Sequence, residues 1–441
     1  MREIISLHIG QGGVNLGNAC WELFCLEHNI QPDGTLSPEK THNNDILETM
    51  FSENPSGSYT PRSIFIDSDP DPIDQIRKGP FNKAFHPDNL ISGKQDFASN
   101  FVKGNNTEGK ELFNKCEDQI RKVIESCDNL QGFIFTHAIS GGTGSGFSAL
   151  LYERFGIVYP KKTKVGFTIF PSPKYSDTIV EPYNSVFSLD TFIRDAEMIV
   201  AMDNEAVYDI CSAHLDNEIP SYSNINRIMA LAIASSLSSM RFKGGYLNTN
   251  LKELETNLVP FPNLHFTLSS FAPFIPPEKV HNKQPTITQI TKAAFDKNYM
   301  LAKVDPKVGK YVACSLMYRG LINPWEVTNA VIKMRKKLDF INWVPSGFKT
   351  GINTQPPVFI PGDMAKVKNT LCAIMNTSAF GQILNSIEDR FHKLYNKRAF
   401  VHWFLGEGIR SELISSADWE FADLKRAYRS LEENDKESDS D

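Results

Sequence analysis

Short apolar segments with strand composition alternate with helix-patterned segments along the first half of the chain. The strand-like segments are residues 2–9, 62–66, 132–139, 164–170 and 198–202. Between them, segments such as 16–26 and 147–155 repeat their apolar residues at helical spacing. This alternation predicts an α/β fold with a parallel sheet, whose ligands bind beyond the carboxyl ends of the strands.

The second half begins with a long apolar helix. Residues 222–240 carry apolar side chains at helical spacing and small or apolar ones on the other faces, which predicts a helix buried all round that joins two domains. Residues 263–375 have mixed strand and helix patterns. Two helices with apolar stripes follow, and the acidic residues after Leu431 have too little apolar content to fold.

The segment that most constrains function is the loop SGGTGSG at residues 140–146. It lies between a predicted strand and a predicted helix, the order of a phosphate-binding loop. Glycines let phosphate oxygens approach backbone N–H groups or supply positive φ angles. Thr143 and Ser145 can add hydroxyl donors. The helix that follows directs its positive end at the anion. The alternative is a plain flexible turn. The pattern is neither a Walker loop nor a dinucleotide fingerprint.

Polar residues also follow the other predicted strands. Gln11 lies in the glycine turn GQGG after the first strand, and Asp69 follows the second. Asp177 follows the strand ending at residue 170, and Asn204 follows the last. Because the carboxyl ends of parallel strands meet at one edge, these four residues and Thr143 are predicted to line one crevice.

Further residues extend this crevice to a whole nucleotide. Glu181 lies in the same loop as Asp177. At the start of the long helix, Tyr222 can stack on a base and Asn226 can hydrogen-bond to its edge. A carboxylate beside a phosphate loop is where Mg²⁺ would be held, usually through water, so Asp67 and Asp69 at the end of the second strand are candidates. The alternative is an aspartate that only ends the strand before Pro70.

Two charged residues carry no functional signal by pattern alone. Lys40 lies in the polar loop 32–61 and is expected to be solvated. Glu253 is expected to be an exposed glutamate on a helix that follows a glycine-containing turn.

The composition fits a globular protein of two or three domains, with 441 residues, 41% of them hydrophobic and 22% charged. No apolar run of about 18 residues and no signal-peptide pattern is present, so we expect a cytosolic chain without a membrane segment. The seven cysteines form no CxxC pair, which argues against a metal site or a disulfide framework. A net charge of −6 gives no general attraction to nucleic acid.

Together the motifs resemble the tubulin family along essentially the whole chain. They are MREI at the start, GQGG (10–13), SGGTGSG, VEPYN (180–184), DNEA (203–206), NLVPFP (257–262) and KRAFVHW (397–403). The resemblance implies a Rossmann-like parallel-sheet GTPase domain over residues 1–204 and a mixed α+β intermediate domain over 205–378, with the central helix at about 222–241. A C-terminal helical hairpin over 379–431 and a disordered acidic tail over 432–441 complete the implied organisation.

Within the family, the chain is similar to alpha subunits. Glu253 falls where alpha chains carry an acidic residue, and residues 354–369 resemble an alpha-specific insertion. Lys40 aligns with a lysine that many alpha chains have acetylated, and is therefore a possible modification site. His281 lies in a loop that, by resemblance, makes lateral contacts between protofilaments.

The resemblance implies a GTP with Mg²⁺ near Asp69, buried against a beta-tubulin partner. Glu253 would face the GTP of the next beta subunit and orient the attacking water, so hydrolysis would require assembly. Other tubulin dimers and motor and microtubule-associated proteins are the further implied partners, in cytoplasmic microtubules. The implied GTP-binding residues are Gln11, Asp69, Ser99, Ala138, Gly142, Thr143, Gly144, Asp177, Glu181, Asn204, Tyr222 and Asn226.

Several positions depart from the family pattern. Ser99 and Ala138 stand where asparagine and serine are usual, and each change removes one hydrogen bond, about 0.5 to 1.5 kcal/mol. Asp177 follows the pattern of beta chains, the turn before Glu253 is one residue longer than the family pattern, and Pro276 begins a Pro-Pro pair in the lateral loop.

Two hypotheses from different classes follow. The first is a divergent alpha-type tubulin that pairs with beta-tubulin and polymerises. The second, motivated by the departures, is a nucleotide-binding regulator that sequesters beta-tubulin or caps microtubule ends. A Rossmann dehydrogenase is disfavoured because the glycine pattern does not suit a pyrophosphate.

Overall fold

The computed structural model describes residues 2–38, 46–176, 178–244, 247–279, 284–344, 347–360 and 364–437, with side chains as far as 432. The strands are β1 Glu3–Ile9, β2 Phe51–Glu53, β3 Tyr59–Pro61, β4 Ser63–Asp67, β5 Leu90–Ser92, β6 Leu130–Ala138, β7 Thr163–Phe170, β8 Met198–Asp203, β9 Phe266–Ala272, β10 Tyr311–Arg319, β11 Phe348–Asn353 and β12 Thr370–Thr377. The α-helices are α1 Gly10–Glu27, α2 Pro70–Lys78, α3 Phe101–Asn105, α4 Glu108–Glu125, α5 Ser148–Val158, α6 Glu181–Asp195, α7 Asn204–His214, α8 Tyr222–Ser236, α9 Ser238–Arg241, α10 Leu251–Leu258, α11 Ile287–Ala294, α12 Pro324–Arg335, α13 Gly381–Tyr395, α14 Val401–Gly406 and α15 Ser411–Glu437.

One large sheet runs through the molecule. Ten of the described strands form it, in the order β11-β10-β12-β9-β8-β7-β6-β1-β4-β5. The segment from β5 to β8 is parallel, as the alternating pattern predicts, and β8 also pairs in parallel with β9. β12 is antiparallel to both of its neighbours, so the second half of the sheet is mixed.

Helices cover both faces of the sheet. Along β1 the side chains of Ile5, Leu7 and Ile9 enter one core, while Ile4 enters the other, as the two-residue period of a strand requires. α1 and α8 fill the second core, and α5, α6, α13 and α15 cover the first. Burial on both faces explains why a strand such as β8, with the sequence MIVAMD, is apolar at successive positions rather than at alternate ones.

The predicted central helix is interrupted near its end. α8 stops at Ser236, and Leu237, with φ −92° and ψ 3°, separates it from the short α9. Serine hydroxyls compete for the backbone there, because Ser236 donates to the carbonyl of Ile233 and Ser238 to that of Ser235. The sequence pattern over 222–240 did not reveal this break.

The last helix extends beyond the predicted boundary at Leu431. The backbone of α15 stays helical to Glu437, whereas the sequence predicted disorder from residue 432. Propagating an existing helix costs far less than nucleating one, and glutamate and lysine are good helix formers, so no core contact is needed for this extension. None of the described helices is long and apolar enough to cross a membrane.

Candidate functional site

A cavity of about 410 Å³ lies at the carboxyl ends of β1, β4, β6 and β7. The helices that follow these strands, together with the starts of α7 and α8, complete its wall. The structure brings eleven of the predicted site residues to this cavity, namely Gln11, Asp69, Ser99, Ala138, Gly142, Thr143, Gly144, Glu181, Asn204, Tyr222 and Asn226. The crevice expected from the strand-end argument is therefore present.

The remaining predicted residues have different outcomes. Asp177, Lys40 and His281 lie outside the described residues, although Thr178, next to Asp177, lines the cavity. Glu253 does not line it, and its position is given below. Sequence analysis did not name several cavity residues, which are Asn15, Asp96, Ser172, Tyr175 and Thr178. Asn15 could have been found, because it lies one helical turn after Gln11 on α1.

The glycine loop is tightly packed. A π-helical turn, Thr143–Phe147, leads from the loop directly into α5. A Cβ on Gly144 would lie 2.3 Å from the carbonyl oxygen of Ala138, and one on Gly10 would lie 2.8 Å from the nitrogen of Gly144. Glycine is therefore required at positions 10 and 144, because a side chain at either position would collide with the neighbouring backbone. Positive φ, the other expected reason, applies to Gly10 at +70°, while Gly142 has φ −68°.

The two hydroxyls of the loop have different environments. Thr143 lines the cavity, and its Oγ1 lies 2.6 Å from Oγ of Ser68. Ser145 is fully buried and donates to the carbonyl of Gly141 at 2.5 Å. The expectation that Ser145 offers a donor to the ligand is wrong, because the π-helical turn directs this hydroxyl back onto the loop.

Carboxylates line one end of the cavity. Asp69 caps α2 by accepting from the N–H of Asp71 at 3.2 Å. Burial raises the pKa of Asp67 to about 7, and its buried Oδ2 has no hydrogen-bond partner among the described residues. An unpaired buried carboxylate oxygen is chemically suited to Mg²⁺. Within the described ranges, no three His, Cys, Asp or Glu side chains cluster as a complete metal site.

Helix starts also present polar side chains to the cavity. Tyr222 is the first residue of α8, whose start is capped by a capping box of Ser221 and Asn224, and Tyr222 is 56% exposed. Asn226 lies one turn further along the same helix. Asn204 opens α7, where the side chain of Asp203 accepts from the N–H of Glu205 at 2.8 Å. An exposed ring beside two amides is suited to a planar base.

Ser99 and Glu181 are fixed by contacts from distant parts of the chain. Ser99 has φ +54°, in the left-handed region that asparagine adopts more often than serine. Glu181 is buried and forms an ion pair with Arg390 of α13 at 2.8 Å. The carbonyl of Ser99 accepts from Nδ2 of Asn184 at 2.7 Å, and neither this contact nor the ion pair is visible in the local sequence pattern.

Glu253 lies on the first turn of α10. Its Oε2 accepts from both the N–H and the hydroxyl of Thr249, at 2.9 and 3.0 Å. Asn250 caps the helix by accepting from the N–H of Glu253 at 2.7 Å. The side chain is half-buried rather than exposed, which corrects the pattern-based expectation.

Gly144→Ala is expected to lower the free energy of unfolding by about 1 to 3 kcal/mol, because the methyl group would displace the Ala138 carbonyl. Gly141→Ala is the matched control, since a Cβ there meets nothing within 4 Å. Urea unfolding of both variants without nucleotide measures the difference. Equal stability of the two variants would contradict the packing argument.

Comparisons with known proteins assign both halves of the chain to one family. Residues 3–212 match the model of the Tubulin/FtsZ family, GTPase domain, and residues 262–389 match that of the tubulin C-terminal domain. The tubulin alpha-1 chain of Arabidopsis thaliana is 46% identical over 449 aligned positions, which cover 100% of both chains. With a guanine-nucleotide-binding GTPase domain and full-length similarity to an alpha chain, this chain belongs to the tubulin family as an alpha-type subunit of microtubules.

Proposed function

We propose that this chain holds GTP and Mg²⁺ in its own cavity as a structural nucleotide, pairs there with beta-tubulin, and supplies Glu253 to the GTP of the next beta subunit. The observation that carries the proposal is that the cavity and Glu253 lie at opposite ends of the same strands. One subunit can then contact two nucleotides only through end-to-end assembly.

The separation follows from contacts at the two ends of β6 and β7. Ala138, at the end of β6, lines the cavity. At the opposite end, Gln131 of β6 accepts from the N–H of Leu251 at 3.2 Å, and Thr163 of β7 donates to Glu255 at 3.1 Å. Both contacts hold α10 at the amino ends of the strands. The eight steps from Leu130 to Ala138 span roughly 26 Å, too far for Glu253 to reach its own chain's nucleotide.

The local geometry suits Glu253 to water activation in a neighbour. Thr249 contacts only one of the two carboxylate oxygens, Oε2, and fixes the orientation of the group. The other oxygen, Oε1, is then the one to accept a proton from an attacking water. A fixed carboxylate that positions water is a recurring part of phosphoryl transfer.

The cavity residues divide by the part of the nucleotide that each suits. Backbone N–H groups of residues 142–144, with Thr143 and Gln11, suit phosphates, and Tyr222, Asn204 and Asn226 suit the base. Asp69, with Asp67 beside it, would hold Mg²⁺, which would supply charge neutralisation at the phosphates. The role of Asp177 as a ribose contact is part of the proposal by resemblance.

The remaining partners are proposed from family resemblance. α13 and α15 would carry motor and microtubule-associated proteins, His281 would lie at lateral contacts, and Lys40 would be open to acetylation. The proposed location is cytoplasmic microtubules.

Labelled GTP tests the proposal on the chain copurified with beta-tubulin. We expect two guanine nucleotides per heterodimer, one of which does not exchange, and a tagged copy that enters microtubules. A chain that stays soluble while beta-tubulin polymerises, and that suppresses growth at substoichiometric amounts, would support the regulator instead. A single nucleotide, or two that both exchange, would contradict a structural GTP in this cavity.

A further inference from the structure

Asn184 is a fully buried side chain behind the nucleotide cavity, and every hydrogen-bonding group of its amide is engaged. Its Nδ2 donates to the carbonyl of Ser99 at 2.7 Å and to that of Ser140 at 2.8 Å. Its Oδ1 accepts from the N–H of Phe101 at 3.1 Å. Ser99 and Ser140 both line the cavity, so one amide joins two separate parts of its wall.

We propose that Asn184 is the positioning residue that orients the glycine loop for phosphate. The peptide bond is planar and trans, so the carbonyl of Ser140 and the N–H of Gly141 point in opposite directions. Asn184 draws the carbonyl away from the cavity. The N–H of Gly141 is thereby directed toward the cavity that Gly141 lines, where it can meet an anion.

The opposite peptide orientation would be harmful to binding. A flipped peptide would direct the negative end of the Ser140 carbonyl at the phosphates and remove one donor. Gly141 offers little resistance to such a flip, because it has no side chain and a Cβ at this position would meet nothing within 4 Å. The restraint has to come from a hydrogen bond to the carbonyl itself, which Asn184 supplies.

Asn184 can act in this way because its own helix turn is fixed from behind. The hydroxyl of Tyr183 donates to the carbonyl of Ala399 at 2.7 Å, and Glu181 is paired with Arg390 at 2.8 Å. Both contacts attach the first turn of α6 to the outer helical layer. The amide of Asn184 is therefore a fixed reference point for the two loops.

The test is Asn184→Asp, which keeps an acceptor for the N–H of Phe101. It replaces the donating amide by a carboxylate oxygen that is repelled by the carbonyl oxygens of Ser99 and Ser140. The affinities of the full-length, nucleotide-stripped chain for GTP, GDP and guanosine are measured by displacement of a fluorescent GTP analogue. We expect GTP and GDP affinities to fall about tenfold or more, with guanosine affinity unchanged, because the loss concerns hydrogen bonds to charged phosphates. Asn184→Ser, which cannot bridge both carbonyls, should show the same selective loss and serves if the aspartate variant does not fold.

Asn376→Asp is the matched control. Asn376 is also fully buried, and its Nδ2 donates to the carbonyls of Leu258 and Leu264 at 2.9 and 2.6 Å, away from the cavity. It should lose similar stability while keeping the ratio of GTP to guanosine affinity. An equal loss of GTP and guanosine binding in the Asn184 variants would overturn the positioning role. The inference rests on nucleotide binding in this cavity, and a wild-type chain that binds no GTP would overturn that proposal instead.

Discussion

Glu253→Gln is expected to slow GTP hydrolysis in the assembled polymer by about 10²- to 10⁴-fold, the usual contribution of a positioned acid or base. Glutamine keeps an acceptor for the N–H and hydroxyl of Thr249, so the first turn of α10 should remain intact. What is lost is the negative charge and the ability to take a proton from water. The measurement is phosphate release during assembly with beta-tubulin, together with the nucleotide retained in the polymer.

Glu255→Gln is the matched control for this prediction. Glu255 lies on the same helix, but its carboxylate is engaged within the chain by Lys252 at 2.7 Å and Thr163 at 3.1 Å. Glutamine at this position can still accept from the hydroxyl of Thr163, so α10 should stay in place and the control should hydrolyse GTP at the wild-type rate. Unchanged phosphate release in assembled Glu253→Gln would remove Glu253 from the mechanism, and a variant that fails to assemble would point to an interface role.

The strand-end argument predicted the cavity because it depends on a property of the whole sheet. Once the strands are parallel, residues that follow them, such as Gln11 and Asn204, must lie at one edge whatever the details of packing. The same reasoning works for Thr143 after β6. It needs only the strand pattern, which is strong in this chain because both faces of the sheet are buried.

Details that depend on long-range contacts could not be predicted in this way. Arg390 lies 209 positions after Glu181, and no local pattern connects them. Ser145 was assigned to the ligand because the π-helical turn that redirects its hydroxyl has no sequence signature. Asp96 and Ser172 lie in irregular segments without periodicity, so only the folded chain brings them to the cavity.

Glu27→Gln is expected to lower the free energy of unfolding by about 3 to 5 kcal/mol. The substitution removes the carboxylate from a buried triad of Glu27, Arg241 and Arg319. Oε1 of Glu27 lies 2.6 Å from Arg319, and Oε2 lies 2.6 Å from Arg241. All three side chains are at most 1% exposed. Glutamine would leave two buried guanidinium groups without a counter-charge.

The pH dependence of this effect has a defined sign. Burial by itself would raise the pKa of Glu27, but the attraction and hydrogen bonds of Arg319 and Arg241 together outweigh it and lower the pKa. A carboxyl group whose pKa is lower in the folded than in the unfolded state stabilises the protein at pH values above its unfolded-state pKa. This stabilisation is lost as the pH falls through the folded-state pKa. The stability gap between wild type and variant should therefore be constant near neutral pH and narrow only in acid.

Urea unfolding of the full-length chain at neutral and acidic pH measures this gap. Glu22→Gln is the control, because Glu22 lies on the same helix but is part-exposed and 3.8 Å from Arg227, so its loss should cost less than about 1 kcal/mol. A Glu27 variant as stable as this control would contradict the triad argument.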